Sequence, residues 1–233
     1  MTPKGKITQV DRDKLYTDLT YRFKYVSQFV GFDETDIAAI KGAAPLIAPL
    51  VPTIVDAVYE HLFSFDITKV SMATMLPLTE LTTEDDQIKF RKDFLGKYLV
   101  KLVTAEYDAA FVSYLDRVGR IHTNTPGKKS RINVEYIHCN ALFGWLHGFL
   151  AETIDKLPEL QDVPEVRAKT LGAFSKLLWI QNDFFSMYYL RESETFKGHH
   201  TVQAPNHLDG IALLTFLLVV CLSAMIAVYK LNE

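Results

Sequence analysis

Residues 107–122 read YDAAFVSYLDRVGRIH. Tyr107, Phe111, Tyr114, Leu115 and Val118 recur at spacings of three and four, which places them mostly on one face of a helix. Gly119 follows, and His122 closes the stretch. The segment is predicted to be a helix carrying an aromatic stripe that ends in an imidazole. A glycine one turn earlier lets a large body come close to the helix. The pattern alone leaves two readings of His122 open. It is either a half-buried histidine satisfied by a backbone carbonyl or a histidine facing a flat apolar ligand.

The chain on both sides of this segment is also helical. Upstream, 11–30 carries Leu15, Leu19, Tyr21, Phe23, Val26 and Phe29 at helical spacing, and Gly31 interrupts it. Asp33 is the expected N-cap of the next helix. Pro45, Pro49 and Pro52 are expected to break that run, because each lacks a backbone donor and clashes with the preceding turn. A helix over 53–63 follows, with Ile54, Val55, Val58, Tyr59 and Leu62 on one face. The stretch 65–82 is expected to be irregular. Thr82 or Thr83 should cap a helix running to about Val103, with Glu84, Asp85 and Asp86 in its first turn. Downstream, 123–131 (TNTPGKKSR) reads as a polar loop with a Pro-Gly turn. Two long helices over about 132–157 and 163–190 complete the soluble part. No alternating strand pattern occurs, so the fold class is all-α.

Residues 210–229, GIALLTFLLVVCLSAMIAVY, carry no charge. Twenty residues of helix span a hydrocarbon core of about 30 Å, so 209–230 is predicted to be a transmembrane helix. Residues 1–190 then form one domain and 191–208 a polar tether. The N-terminus is polar and only four residues follow the span, so the expected topology is single-pass with the N-terminal domain cytosolic. A net charge of −3 offers no basic surface for nucleic acid. Cys139 falls in a helix and Cys221 in the membrane span, which indicates no disulfide framework.

Nucleotide and hydrolase motifs are absent: there is no GxGxxG, P-loop, HExxH or GxSxG. The absence of CxxCH argues against covalently attached haem. His61 reads as surface. His138 and His147, nine residues apart on one helix, do not converge on a common atom. His199 and His200 read as solvated tether residues.

Taken together in order and spacing, several segments resemble the protoglobins and the globins of globin-coupled sensors. Tyr107-Asp108, Tyr114 and Val118-Gly119-Arg120-Ile121-His122 resemble the helix that carries the family's proximal haem ligand. Asp56 to Leu62, with Tyr59 at its centre, is similar to the distal helix, where a tyrosine faces the bound gas. The helix from Phe90 to Leu102 resembles the distal wall, with Phe94 at the distal-pocket position. The helix before Asp33 matches the family's additional N-terminal helix. The resemblance covers about residues 10–190. It implies a globin-like helical sandwich with an extra N-terminal helix. Val58 stands where protoglobins often have tryptophan, and the signalling output domain usual in sensors is replaced by the tether and one membrane helix.

The resemblance further implies haem b, with His122 as the iron ligand and O₂, CO or NO as the gas. Tyr59 would donate a hydrogen bond to that gas, and Phe94 would supply bulk. Leu95, Tyr98, Phe111, Tyr114, Val118, Ile137 and Phe143 are the remaining candidate cofactor contacts. Read from the residues alone, Tyr59 and Phe94 are equally core side chains. Phe143, Trp145, Leu146, Phe149, Trp179, Phe184 and Phe185 make the last two soluble helices more apolar than one small core requires, and the resemblance implies a homodimer through them. A gas or redox sensor is the expected function. A haem enzyme such as an NO dioxygenase, or a haem-free tethered adaptor, are the alternatives. An enzyme would need an electron source, and no flavin or nicotinamide motif supplies one.

Overall fold

A computed structural model describes residues 7–72, 81–123, 125 and 132–190. The expected tether over 191–208 and membrane span over 209–230 lie outside the described residues, as does most of the loop 123–131. Among the described residues there are nine α-helices and no strand.

The first expected helix is two. Asp18 adopts an extended conformation between α1 (Arg12–Thr17) and α2 (Leu19–Val30), and its side chain accepts from the Tyr21 amide at the start of the second. A residue that prefers to bond neighbouring amides favours caps over helix interiors, and here it restarts the helix. Gly31 ends α2 in the left-handed conformation, φ 69°, which glycine adopts without strain.

Asp33 caps α3 (Glu34–Ile47) in a reciprocal capping box. Its carboxylate accepts from the amides of Thr35 and Asp36, and the Asp36 carboxylate accepts from the Asp33 amide at 3.0 Å. Pro45 does not break this helix. It lies inside α3 with its ring exposed, so the helix loses one hydrogen bond and continues. The break comes at a 3₁₀ turn, Ala48–Leu50, from which α4 (Val51–Phe63) leads on. Pro49 and Pro52 sit in the first turns of these two elements, where their missing donors have no partner to lose.

The stretch expected to be irregular contains α5 (Asp66–Met72). Next, α6 (Asp86–Thr104) is capped by Asp85 rather than by Thr82 or Thr83. Thr82 instead donates its amide and hydroxyl to Asp85 Oδ2, at 2.5 and 2.8 Å. Then come α7 (Ala109–Ile121), α8 (Tyr136–Asp155) and α9 (Pro164–Ser186). Tyr107, at the corner between α6 and α7, has φ 54°. Its buried ring packs against Phe32 and Phe111, and its hydroxyl donates to the Leu102 carbonyl at 2.6 Å. These contacts hold a backbone conformation that costs a non-glycine residue about 1 kcal/mol or more.

The central element is α9, which packs on α2, α3, α7 and α8. The core is aliphatic and aromatic, with Ile40, Ile54, Ile88, Leu115, Ile180 and Phe184 wholly enclosed. Two ionic ties register α9 against the N-terminal helices. Arg22 makes a bidentate pair with Asp183, at 2.6 and 2.7 Å. Asp36, 0% exposed, accepts from Lys169 at 2.7 Å and from Lys176 at 2.9 Å. Lys176 also donates to the Gly31 carbonyl at 2.7 Å.

Burial alone would raise the Asp36 pKa. The hydrogen bonds from both lysines and from the Asp33 amide outweigh it, so the carboxyl sits below its ordinary 3.8. A lowered folded pKa gives stability that is present above the unfolded value and lost as pH falls through the folded one. Asp36→Asn is therefore expected to cost about 3 kcal/mol at pH 7. The gap to wild type should narrow below about pH 4. Urea unfolding at pH 7 and pH 3 checks this, and an equal gap at both values would refute the role given to the carboxylate.

Candidate functional site

His122 occupies the C-cap of α7, so its ring lies at the end of the helix and its Nδ1 reaches back one turn to the Val118 carbonyl at 2.7 Å. A carbonyl only accepts, so this contact requires the proton on Nδ1. The lone pair is then on Nε2, which is the nitrogen that binds iron in a histidine whose other nitrogen is held by a second partner. The helix is built to end there. Asp108 caps its start by accepting from the Phe111 amide at 2.9 Å. The acidic neighbour of Tyr107 is thus a cap, and periodicity gave no signal of that.

Gly119 permits a close approach, but the approaching body is protein. A methyl group at this position would collide with the carbonyl oxygen of Phe184 and lie 3.1 Å from its carbonyl carbon. So α7 and α9 touch backbone to backbone one turn before His122. On the same side the Phe185 ring stands 5.0 Å from the imidazole, and Phe143 of α8 meets Phe185 edge-on at 5.1 Å. Phe184 and Phe185, which the sequence suggested for an interface between copies, are buried within this chain.

The other predicted wall residues fall in four kinds of place. Tyr98 and Tyr114 face each other across α6 and α7, with centroids 5.9 Å apart. The Tyr98 hydroxyl donates to Gln181 at 2.5 Å, and burial raises its pKa far above the ordinary 10. Leu95 packs half-buried on the core. Phe111, 2% exposed, is enclosed between Phe23 and Tyr107 and belongs to the packing beneath α2. Phe94, by contrast, is 56% exposed beside Phe90, and Ile137 at the start of α8 is 69% exposed.

Tyr59 lies in α4 and is buried, yet its hydroxyl makes no hydrogen bond among the described residues. Burial pushes its pKa up to about 12, against a smaller downward pull from the charge of Arg91. At neutral pH it is a protonated donor. His61 is not a surface residue. Its ring stacks on Trp145 at 4.4 Å and 11°, and Trp145 stacks on Phe149.

The two helices expected to flank a cofactor are held by different neighbours. Close packing joins α6 to α3 and α4, and α7 to α2 and α9, while α6 and α7 meet through the Tyr98 and Tyr114 rings and through Lys101 over the Tyr114 ring. This arrangement suits haem on three counts. An imidazole has its tautomer set for Nε2 ligation, and the Tyr59 hydroxyl makes no hydrogen bond among the described residues. Aromatic side chains are left exposed on α6.

An all-helical fold of this organisation, with a histidine held at the end of α7, defines a globin. The chain belongs to the protoglobin family, whose model matches residues 19–195. Its fold is similar to that of the globin domain of the Geobacter sulfurreducens globin-coupled sensor. The TM-score is 0.56 and the identity 21%, over 71% of this chain and 96% of that one. No curated protein sequence matches the chain.

The Gly119 contact gives a direct test of how α7 is placed. Gly119→Ala drives a methyl into backbone that cannot turn aside and should cost about 3 kcal/mol. That loss should lower the melting temperature by roughly 10 °C. At Gly42, an exposed position of α3 with nothing within 4 Å, the same change should stabilise by about 0.5–1 kcal/mol. Thermal melts followed by circular dichroism compare the two, and equal melting temperatures would contradict the close approach.

Proposed function

We propose that this protein is a membrane-anchored haem globin that reversibly binds a diatomic gas and serves as a gas or redox sensor. The reading is carried by membership of the protoglobin family over residues 19–195. The 2.7 Å hydrogen bond between His122 Nδ1 and the Val118 carbonyl would equally satisfy a structural histidine, but it orients the ring and leaves Nε2 as the basic nitrogen, as ligation requires. Protoglobins are globins, and globins hold haem through a single histidine.

Haem b would supply the iron that takes up the gas. The chain's own residues would do four things. His122 would ligate the iron. Phe94, Leu95, Tyr98, Tyr114, Val118, Ile137 and Phe143 would contribute apolar surface and keep water from the ring. Tyr59 would offer its protonated hydroxyl to a ligand carrying partial negative charge, where a hydrogen bond is strengthened by that charge. Arg91, close enough to act on Tyr59, would favour the same sign of charge.

Two further features belong to this reading. The apolar run 210–229 would anchor the protein in a membrane, with the globin on the cytosolic side. A homodimer would form through α8 and α9. In support, Trp179 of α9 is 58% exposed, and Gly144 and Gly148 leave α8 open to close approach.

The first test is an absorption spectrum of the full-length protein in detergent, reduced and with CO. A haem band that shifts with CO in wild type, and is lost or changes coordination in His122→Ala, is the expected result. Wild type that takes up no stoichiometric haem would end the haem reading. Anchoring and assembly are read on the same preparation. The protein should resist alkaline extraction from membranes and sediment as a dimer at micromolar concentration. Release into the soluble fraction would remove the anchor, and a monomer would remove the dimer.

A further inference from the structure

The last turn of α7 and the end of α9 are joined at four successive points. Gly119 meets the backbone of Phe184. The Phe185 ring lies against the His122 imidazole. Tyr188 donates its hydroxyl to Asp116. Tyr189 donates to the Val134 carbonyl at 2.7 Å, with the His122 carbonyl 3.4 Å away and Cys139 Sγ at 3.6 Å.

The last of these contacts differs in kind from the others. A phenol has one proton, and the shorter contact to Val134 takes it. The thiol of buried Cys139 is then the donor toward Tyr189, while the His122 carbonyl shares the phenol proton weakly. The Val134 amide itself donates to the His122 carbonyl at 2.8 Å. The His122 and Val134 backbones are therefore bonded to each other, and the Tyr189 hydroxyl spans both. The Tyr136 ring, 5.2 Å from that of Tyr189, closes the far side.

We propose that Tyr189 is the positioning residue of the His122 turn. Its hydroxyl ties the backbone that carries the proximal histidine to the point where the chain leaves the globin domain. The inference rests on the haem-ligand role assigned to His122 above. Tyr189 touches neither haem nor gas in this role. It sets the backbone from which the imidazole projects. Tyr189 lies just past the end of α9, and Leu190 follows at once.

The test is Tyr189→Phe in the full-length protein, which removes the hydroxyl and keeps the ring. Hydrogen exchange is measured first, with no haem added. The Val134 amide should exchange roughly fivefold faster, the effect of losing about one neutral hydrogen bond. Amides of α4 should be unchanged. Tyr188→Phe, which spares Tyr189, should leave Val134 near its wild-type rate. With haem added and reduced, the iron–histidine stretching band should shift in Tyr189→Phe.

Identical Val134 exchange and an identical iron–histidine band in the two proteins would overturn the proposal. If wild type takes up no haem, the functional reading fails, while the exchange data still report on the tie itself. If Tyr189→Phe does not fold, 3-fluorotyrosine at position 189 replaces it. The fluorinated phenol is a stronger donor, so the proposal requires slower Val134 exchange, and unchanged or faster exchange overturns it.

Discussion

The position of His122 depends on the backbone contact between Gly119 and Phe184. Interiors are close-packed and resist even one additional methyl group, so a glycine at this crossing sets how near α7 can come to α9. Asp108 at the other end of α7 caps its start. Val118 lies one turn before His122, so its carbonyl meets the ring through local helix geometry. A histidine one residue earlier or later would be rotated by about 100° around the helix axis. It would lose both the Val118 carbonyl and the Phe185 ring.

The frame that holds α9 for this contact is partly ionic. Asp36 is wholly buried and would be costly there alone, but its two lysines and a capping amide satisfy it. Arg22 and Asp183 make a second tie nearer the end of α9. Both join the N-terminal helices to α9, and neither involves α6. α6 is registered through α3 and α4, with Gly96 near Val51 and Val55 and Lys92 paired with Asp56, and it reaches α9 through the hydrogen bond from Tyr98 to Gln181.

Helix existence was legible wherever apolar residues recur every three or four positions, as in α4 and α7. Boundaries were less so. Asp18 splits one predicted helix because its capping carboxylate competes with helical hydrogen bonding, and composition does not say which aspartate will do so. Pro45 was read as a breaker because a single sequence cannot show that its ring faces solvent. His122 could be singled out from Val118, Gly119 and the imidazole together. The partners that orient it could not: Phe185, Tyr188 and Tyr189 lie more than sixty residues away, and no local pattern connects them to α7. For the same reason Phe111 read as a pocket wall. Periodicity gives its face of the helix, but which neighbour covers that face is a tertiary fact, and here it is α2.

The exposed aromatics show what the helices leave uncovered. A phenylalanine can bury roughly 150–200 Å², and at about 25 cal/mol per Å² each such ring left in water forgoes several kcal/mol. Phe90 and Phe94 lie on α6 and Ile137 begins α8, all largely exposed, while the interior elsewhere is well filled. Single exposed apolar residues are unremarkable. Phe90 and Phe94 are neighbours on α6, with ring centroids 4.8 Å apart, and form one exposed aromatic patch. A rigid, flat, mostly apolar group would cover such surface at little cost in conformational entropy, because it has few torsions to freeze. Haem has that shape. The aliphatic core that closes on itself around α9 and the exposed aromatics of α6 are the two parts of the frame into which the proposed haem would fit.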